Sequence, residues 1–348
     1  MSGPLLRVEN LRMEFETRRS LFDWLRRRPA PPIRAVDDIT FDVGAGEVLA
    51  IVGESGCGKT TTANLLVGLL EPTGGRVILD GEEVGRLSGR GLRRIRRRAQ
   101  MVFQDPYESL NPRMTVGALV AEPLRVHRVH SGDADLGDRV AGALTQAGLT
   151  PVDAFLHRYP FELSGGQRQR VVIAAALALE PSLLIADEPV SMLDVSIRAD
   201  ILNLLARLAR DEGIAMVMIT HDLSTVAAYA DRIAVMYLGR IVEHGPARRV
   251  VESPRHPYAQ ALLSVVPVPD PSLRRRPVIL GGETPDPSRI PSGCRFHPRC
   301  PLAFDRCPTV DPPLFEVGPD HRAACLLVEA GVEASAAEQR SQDGERTD

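Results

Sequence analysis

The stretch GESGCGKTTT, Gly53 to Thr62, is preceded by GEVLAIV, an apolar strand pattern, and followed by ANLLVGLL, a helical one. It fits G-x-x-x-x-G-K-[ST] through Gly53, Gly58, Lys59 and Thr60, in the strand-before, helix-after setting this pattern requires. Glycines let successive backbone N–H groups turn toward an anion without Cβ clashes, and the helix adds its positive N-terminal end. Lys59 is the one lysine among the 42 Lys and Arg residues of the chain. A compact ammonium on a flexible stem fits between two phosphates, where a planar guanidinium is bulkier and more demanding in geometry. The expected phosphate cradle is Gly53, Glu54, Ser55, Gly56, Cys57, Gly58, Lys59, Thr60 and Thr61, with Thr60 as a Mg²⁺ ligand. By itself this loop specifies a nucleoside-triphosphatase and nothing finer.

Composition bounds the rest. The 348 residues suffice for one large domain and a smaller one, and 44% hydrophobic with 25% charged residues is ordinary for a globular chain. A net charge of −3 and a pI near 6.3 give no global reason to expect nucleic acid as a partner. The opening MSGPLLRVEN lacks the apolar core of a secretory signal. The longest aliphatic run, Val171 to Leu179, falls well short of the roughly 20 residues a membrane span needs. The expectation is an intracellular chain that spans no membrane.

Outward from the loop, LLRVENL, ITFDV and GEVLAIVG read as short strands, and RRSLFDWLRRRPAPP as an inserted, proline-broken loop. TTANLLVGLL reads as a helix stopped by Pro72, Gly74 and Gly75. Residues 107–180 read as mainly helical, and LLIAD and AMVMIT as buried parallel strands, which implies an α/β core. After about residue 250 the chain turns proline-rich and loses periodicity, and from about 329 it reads as a disordered tail.

Further motifs sharpen the reading. Gln104 lies in VFQDP, LSGGQRQR begins at Leu163, LLIADEP carries Asp187 and Glu188, SMLD carries Asp194, and ITHD carries His221. In that order and register with the phosphate loop, the chain resembles the ATP-binding-cassette (ABC) ATPases over roughly residues 5–250. The resemblance implies a RecA-like P-loop NTPase core of α/β class, with an N-terminal antiparallel β subdomain and a helical signature subdomain at about 107–168. It implies ATP and Mg²⁺ as ligands, with Asp187, Gln104 and Thr60 around the metal. Glu188 would act as general base toward the attacking water, Gln104 would reach that water as well as the metal, and His221 would touch the γ-phosphate. Ser164, Gly165, Gly166 and Gln167, with Asp194, would meet ATP held by a second subunit in a head-to-tail dimer. Phe15 is the candidate to stack on adenine, with Phe22 and Trp24 as alternatives.

Near the end, SPRHPYAQALLSVVP and GCRFHPRCPLAFDRC resemble the oligopeptide/dipeptide branch of ABC importers, which also includes nickel and glutathione uptake ATPases, and FQDPYESLNPRMTVG points the same way. His256 and Tyr258 in this region read as packing residues. Cys294, Cys300, Cys307 and Cys325 are spaced C-x5-C-x6-C-x17-C, unlike the paired C-x2-C of zinc ribbons. Four clustered cysteines in such a chain favour metal over disulfides, and Cys300 and Cys307 precede prolines, as at iron–sulfur ligands. The resemblance implies a [4Fe–4S] cluster, with Zn²⁺ the alternative. The expected division is an ATPase domain at 1–250, a small Cys-rich C-terminal extension at 251–328 and a tail at 329–348. The expected setting is peripheral, on the cytoplasmic face of the plasma (inner) membrane. The expected partners are two transmembrane permeases, a second ABC ATPase (identical or paralogous) and an extracytoplasmic substrate-binding protein, with no nucleic acid. Di- or oligopeptides are the expected cargo, with nickel or glutathione as alternatives. The basic runs Arg90–Arg98 and Leu273–Pro277 read as solvated faces.

Overall fold

The computed structural model describes residues 3–16, 32–264, 278, 280–282 and 285–329. The inserted loop, with Phe22 and Trp24, the 273–277 basic run and nearly all of the expected tail lie outside the described residues. The chain forms two compact units, one of residues 1–12, 38–50 and 60–221, the other of 13–37, 51–59 and 222–348.

The first unit takes residues 6–12 of strand β1 (Leu6–Phe15), with Leu6, Val8 and Leu11 buried and Arg7 and Asn10 outward. That period of two is the mark of a sheet with one wet face. It pairs antiparallel with β4 (Gly74–Leu79), Leu6 opposite Leu79 and Val8 opposite Val77, in a sheet completed by β2 (Ile33–Val43) and β5 (Glu82–Glu83). The same unit holds a parallel set. β6 (Ala99–Val102), β7 (Leu183–Asp187) and β8 (Ala215–Thr220) lie side by side, and the head of β3 (Val48–Val52) follows β8. β7 is buried at every position, as expected of a strand covered on both faces. Half of the arginines of the Arg90–Arg98 run have partners within this unit. Helix α2 (Gly89–Arg98) pairs Arg94 with Glu82 and Arg98 with Asp80, and Arg96 donates to the Gly68 carbonyl.

Helix α1 (Lys59–Leu66) is shorter than the sequence pattern suggests. Gly68, at φ 66°, takes the left-handed conformation, and the Leu69 N–H reaches back to the Asn64 carbonyl. The helix thus ends at a glycine cap, several residues before Pro72. Between β6 and β7 come α3 (Pro106–Ser109), α4 (Val116–His127), α5 (Asp133–Gln146), α6 (Asp153–Leu156) and α7 (Gly165–Leu177). Helix α8 (Val195–Glu212) connects β7 to β8 and ends at Gly213, again left-handed.

In the second unit, the end of β3 lies beside β9 (Arg232–Tyr237), then β10 (Arg240–Pro246), β12 (His321–Ala323) and β11 (Phe315–Gly318). Helices α9 (Leu223–Val226), α10 (Ala247–Glu252) and α11 (Pro257–Ser264) belong to it as well. The region expected to lack periodicity therefore contains helices and a hairpin. β11 and β12 have only four and three residues, too few to show alternation. α11 buries Tyr258, Ala259, Ala261 and Leu263. Within this unit Arg295 donates to the Leu238 carbonyl and pairs with Asp37, tying the residues before Phe296 to the β9–β10 turn and to β2.

Candidate active site and its surroundings

Residues Gly53 to Lys59 of the phosphate loop belong to the second unit. Gly53 and Gly58 are required by close backbone approach. A Cβ on Gly53 would lie 2.2 Å from the Met236 carbonyl oxygen, and one on Gly58, at φ 108°, 2.1 Å from that of Ala35. The loop is fastened by the Gly239 N–H, which donates to the Cys57 carbonyl at 2.9 Å. Lys59 is buried, and its ammonium donates to the Gly53 carbonyl at 2.7 Å and the Glu54 carbonyl at 2.9 Å. Cys57 is buried within the loop, which pushes its thiol pKa up and keeps it protonated.

In the first unit, β7 delivers Asp187 at its carboxyl end, opposite Ile219 of β8. Glu188 follows with φ 46°, a left-handed conformation that costs a non-glycine residue about 1–2 kcal/mol. Strain of this kind at a strand end is where functional side chains are often aimed. The Glu188 N–H donates to the Ile219 carbonyl at 2.8 Å, and the turn is closed by Ser191, whose N–H and hydroxyl both donate to the Glu188 carbonyl. One carboxylate oxygen of Glu188 accepts from the Gln104 amide at 3.2 Å and lies 3.2 Å from His221 Nδ1. Gln104, Glu188 and His221, widely separated in sequence, thus meet at one oxygen. Thr60, Gln104 and Asp187 also line a cavity of about 680 Å³, with Asp105, Glu108, Leu110 and Glu122 on its walls. A hydroxyl, an amide oxygen and a carboxylate are hard donors of the kind Mg²⁺ takes, so the residues fit that ion.

Ser164 is the N-cap of α7. Its hydroxyl accepts from the Gln167 N–H, and the Gln167 side-chain oxygen accepts from the Ser164 N–H, a reciprocal capping box. Gly165 and Gly166 form the first turn, and a Cβ on Gly166 would lie 2.5 Å from Ile197 Cγ2, so α7 and α8 approach closely there. Asp194 caps α8 by position and is exposed, as are its neighbours Met192 and Val195. Phe15, in the second unit, is half-buried at the end of β1.

The C-terminal region supplies contacts that the motif pattern did not suggest. Tyr258 is fully buried, and its hydroxyl accepts from the Glu54 N–H of the phosphate loop at 2.8 Å. Arg299 grips the Glu54 carboxylate with both terminal nitrogens, at 2.8 and 3.2 Å. His256 and Tyr258 do pack, in a cluster with Tyr237 and Phe296. They do more than fill space, however. The signal available in sequence was a tyrosine and an arginine in a region otherwise read as an appendage.

The four cysteines are free thiols of this same unit. Burial first, and then neighbouring Cys325, Cys307 and Cys300, push the Cys294 thiol up to about 11. Cys300 and Cys325 are raised likewise, by burial and then by neighbouring thiols. Yet among the described residues no group of three or more His, Cys, Asp or Glu side chains is arranged to hold a metal ion. The geometry of the described residues therefore gives no support to the four-thiolate set expected for [4Fe–4S] or for Zn²⁺.

A phosphate loop between strand and helix, and a glutamate at a strand end held by glutamine and histidine, are the parts of an ABC-type ATPase. Comparison with known proteins narrows this. The ABC transporter family model matches residues 36–191, and the model for the oligopeptide/dipeptide transporter C-terminal region matches 242–307. The chain is 50% identical over 335 residues to a probable peptide ABC transporter ATP-binding protein of Sinorhizobium fredii, covering 96% of this chain and 93% of that one. It is 45% identical to the oligopeptide transport ATP-binding protein OppF of Salmonella typhimurium, covering 93% and 96%. The solved dimeric ATP-binding cassette MJ0796, in a post-hydrolysis state with ADP and Pi, is similar with a TM-score of 0.60 and 30% identity, over 70% of this chain and 99% of that one. The chain belongs to the ABC transporter ATP-binding proteins and is an ATPase. Among the described residues, no helix is long and apolar enough to cross a membrane.

Proposed function

We infer that the chain energises import of peptides, hydrolysing ATP at the cytoplasmic face of a membrane on behalf of permeases carried on other chains. The observation that carries this reading is the pairing of an ABC core with the oligopeptide/dipeptide C-terminal region, in relatives named for peptide transport that align over nearly the whole length. The same pairing supports an ATPase domain at 1–250 followed by an extension at 251–328.

Lys59 and the loop N–H groups hold the phosphates of ATP. Thr60 and Asp187, with Gln104, would hold Mg²⁺, which neutralises phosphate charge when bound. Glu188 accepts a proton from the attacking water, and Gln104 and His221 orient its carboxylate, a role supported by their shared oxygen. Ser164, Gly165, Gly166 and Gln167 offer a capped helix N-terminus to a second subunit's nucleotide. The exposed Met192 and Val195 beside Asp194 suit that dimer face. The cavity walled by Phe103, Asp105, Glu108 and Leu110 suits a helix from a permease. For the extension, the clustering of Cys294, Cys300, Cys307 and Cys325 in sequence supports a [4Fe–4S] cluster, with Zn²⁺ the alternative, that would pin it. Iron and acid-labile sulfide in anaerobically purified protein would bear that out, and colourless, metal-free protein would not.

The transport reading is tested by purifying the tagged chain from membranes in mild detergent and identifying the copurifying chains by mass. Two multi-span permeases with a second cassette support it, and ribosomal or DNA-bound proteins overturn it. Within that complex, Glu188→Gln is expected to retain ATP binding while nearly abolishing turnover, and undiminished turnover removes Glu188 from its role.

A further inference from the structure

We propose that Tyr258 and Arg299 are positioning residues of the ATPase, through which the C-terminal region sets the shape of the phosphate loop. The proposal rests on that loop being the nucleotide site. All the groups concerned lie in one compact unit. Glu54 is held at three points. Its N–H donates to the Tyr258 hydroxyl, its carboxylate takes a two-pronged grip from Arg299, and its carbonyl accepts from the Lys59 ammonium. The residue that seats the catalytic lysine is thus itself seated by the extension.

The support behind Glu54 is rigid for reasons visible in the surrounding contacts. Tyr258 is wedged between the Tyr237 and Phe296 rings at 4.7 and 5.4 Å. Its backbone N–H donates to His256 Nδ1 at 3.1 Å. His256 in turn is fixed by its own N–H donating to Glu243, at 2.7 Å. Glu243, fully buried, also accepts from the Arg255 N–H and lies 2.7 Å from His321 Nε2. Arg299 closes the short turn His297–Arg299 that follows Phe296, and its side chain is only 9% exposed. A paired guanidinium and carboxylate of fixed geometry, with one neutral hydrogen bond beside it, locks the peptide plane of Glu54 better than either alone.

The test uses the full chain and three variants, Tyr258→Phe, Arg299→Gln and Arg299→Lys, with Lys59→Ala as the control for the loop itself. Tyr258→Phe keeps the ring and removes only the acceptor. Far-UV circular dichroism and thermal unfolding report folding separately, and Mg-ATP titration and steady-state turnover report function. The expected result is a KM for ATP raised about tenfold in Tyr258→Phe and Arg299→Gln, with kcat changed less than about twofold and partial recovery in Arg299→Lys. Because both residues act through Glu54, combining Arg299→Gln with Glu54→Gln should add little to either alone. A folded Tyr258→Phe and a folded Arg299→Gln with unchanged KM overturn the proposal, as does a fall confined to kcat. Should Lys59→Ala bind ATP normally, the nucleotide-site reading fails first, and that outcome is distinct from the others.

Discussion

Replacing Lys59 by arginine conserves the charge, and the structure gives reason to expect that it does not conserve the function. The ammonium sits in a site only 5% exposed, 2.7 Å from the Gly53 carbonyl oxygen, 2.9 Å from that of Glu54 and 3.9 Å from the Cys57 sulfur. Hydrogen bonds from a charged donor contribute roughly 1.5–3 kcal/mol each, and a planar guanidinium cannot point at both carbonyls from the same stem. Forcing a larger group into a filled site adds strain of about 1–3 kcal/mol. A combined loss near 3 kcal/mol corresponds to roughly a hundredfold in ATP affinity. Mg-ATP titration of Lys59→Arg and Lys59→Ala, with thermal unfolding in the absence of nucleotide, separates the two contributions. Both variants should lose affinity, but only Lys59→Arg should carry the added cost of strain in its unfolding temperature. If Lys59→Arg binds within about threefold of the wild type, the argument from site geometry is wrong. The lone lysine would then be an accident of composition.

Gly58→Ala places a methyl 2.1 Å from the Ala35 carbonyl at a φ of 108°, so neither space nor backbone accommodates it. It is expected to lower stability by several kcal/mol, on the order of the largest single-site effects, in denaturant unfolding. A loss below about 1 kcal/mol would show that the loop can shift. For pH, burial holds His256 down to about 3, against 6.5 for an unburied histidine. Above about pH 6.5 both folded and unfolded chains keep it neutral. Below that the unfolded chain gains a proton the folded one refuses, so stability falls by about 1.4 kcal/mol per pH unit as pH drops toward 3. Denaturant unfolding at pH 7 and pH 5 should show this slope in the wild type and a smaller one in His256→Asn. Equal slopes would take His256 out of the account.

The core was legible because its signals are local and strong. The phosphate loop is a contiguous run with a lysine that composition itself singles out, and LLIAD is a short apolar run ending in a carboxylate, as β7 turned out to be. Gln104, Glu188 and His221 could be named from motif order, but the oxygen they share could not, because parallel strands set it through pairings far apart in sequence. The helix after the loop was overextended because Val67–Leu70 is apolar. Propensity gave no weight to Gly68, whose left-handed cap ends it. The cysteines were legible only as a cluster, because spacing says nothing of where each thiol points.

The C-terminal region was the least legible part, for a reason that bears on its role. Its elements are too short for periodicity, and its buried groups, Glu243, His256 and His321, are polar residues that composition assigns to surfaces. A buried carboxylate is retained at a cost unless its lone pairs are filled, and Glu243 has two backbone N–H donors and a histidine to fill them. Such a network holds one geometry rather than adding net stability, because partial satisfaction is heavily penalised. What that geometry holds is Tyr258, and what Tyr258 holds is Glu54. An appendage needed only for docking to other chains could have packed with an apolar core and left the phosphate loop alone. A polar network that ends on the residue seating Lys59 is better explained by a demand on the nucleotide site.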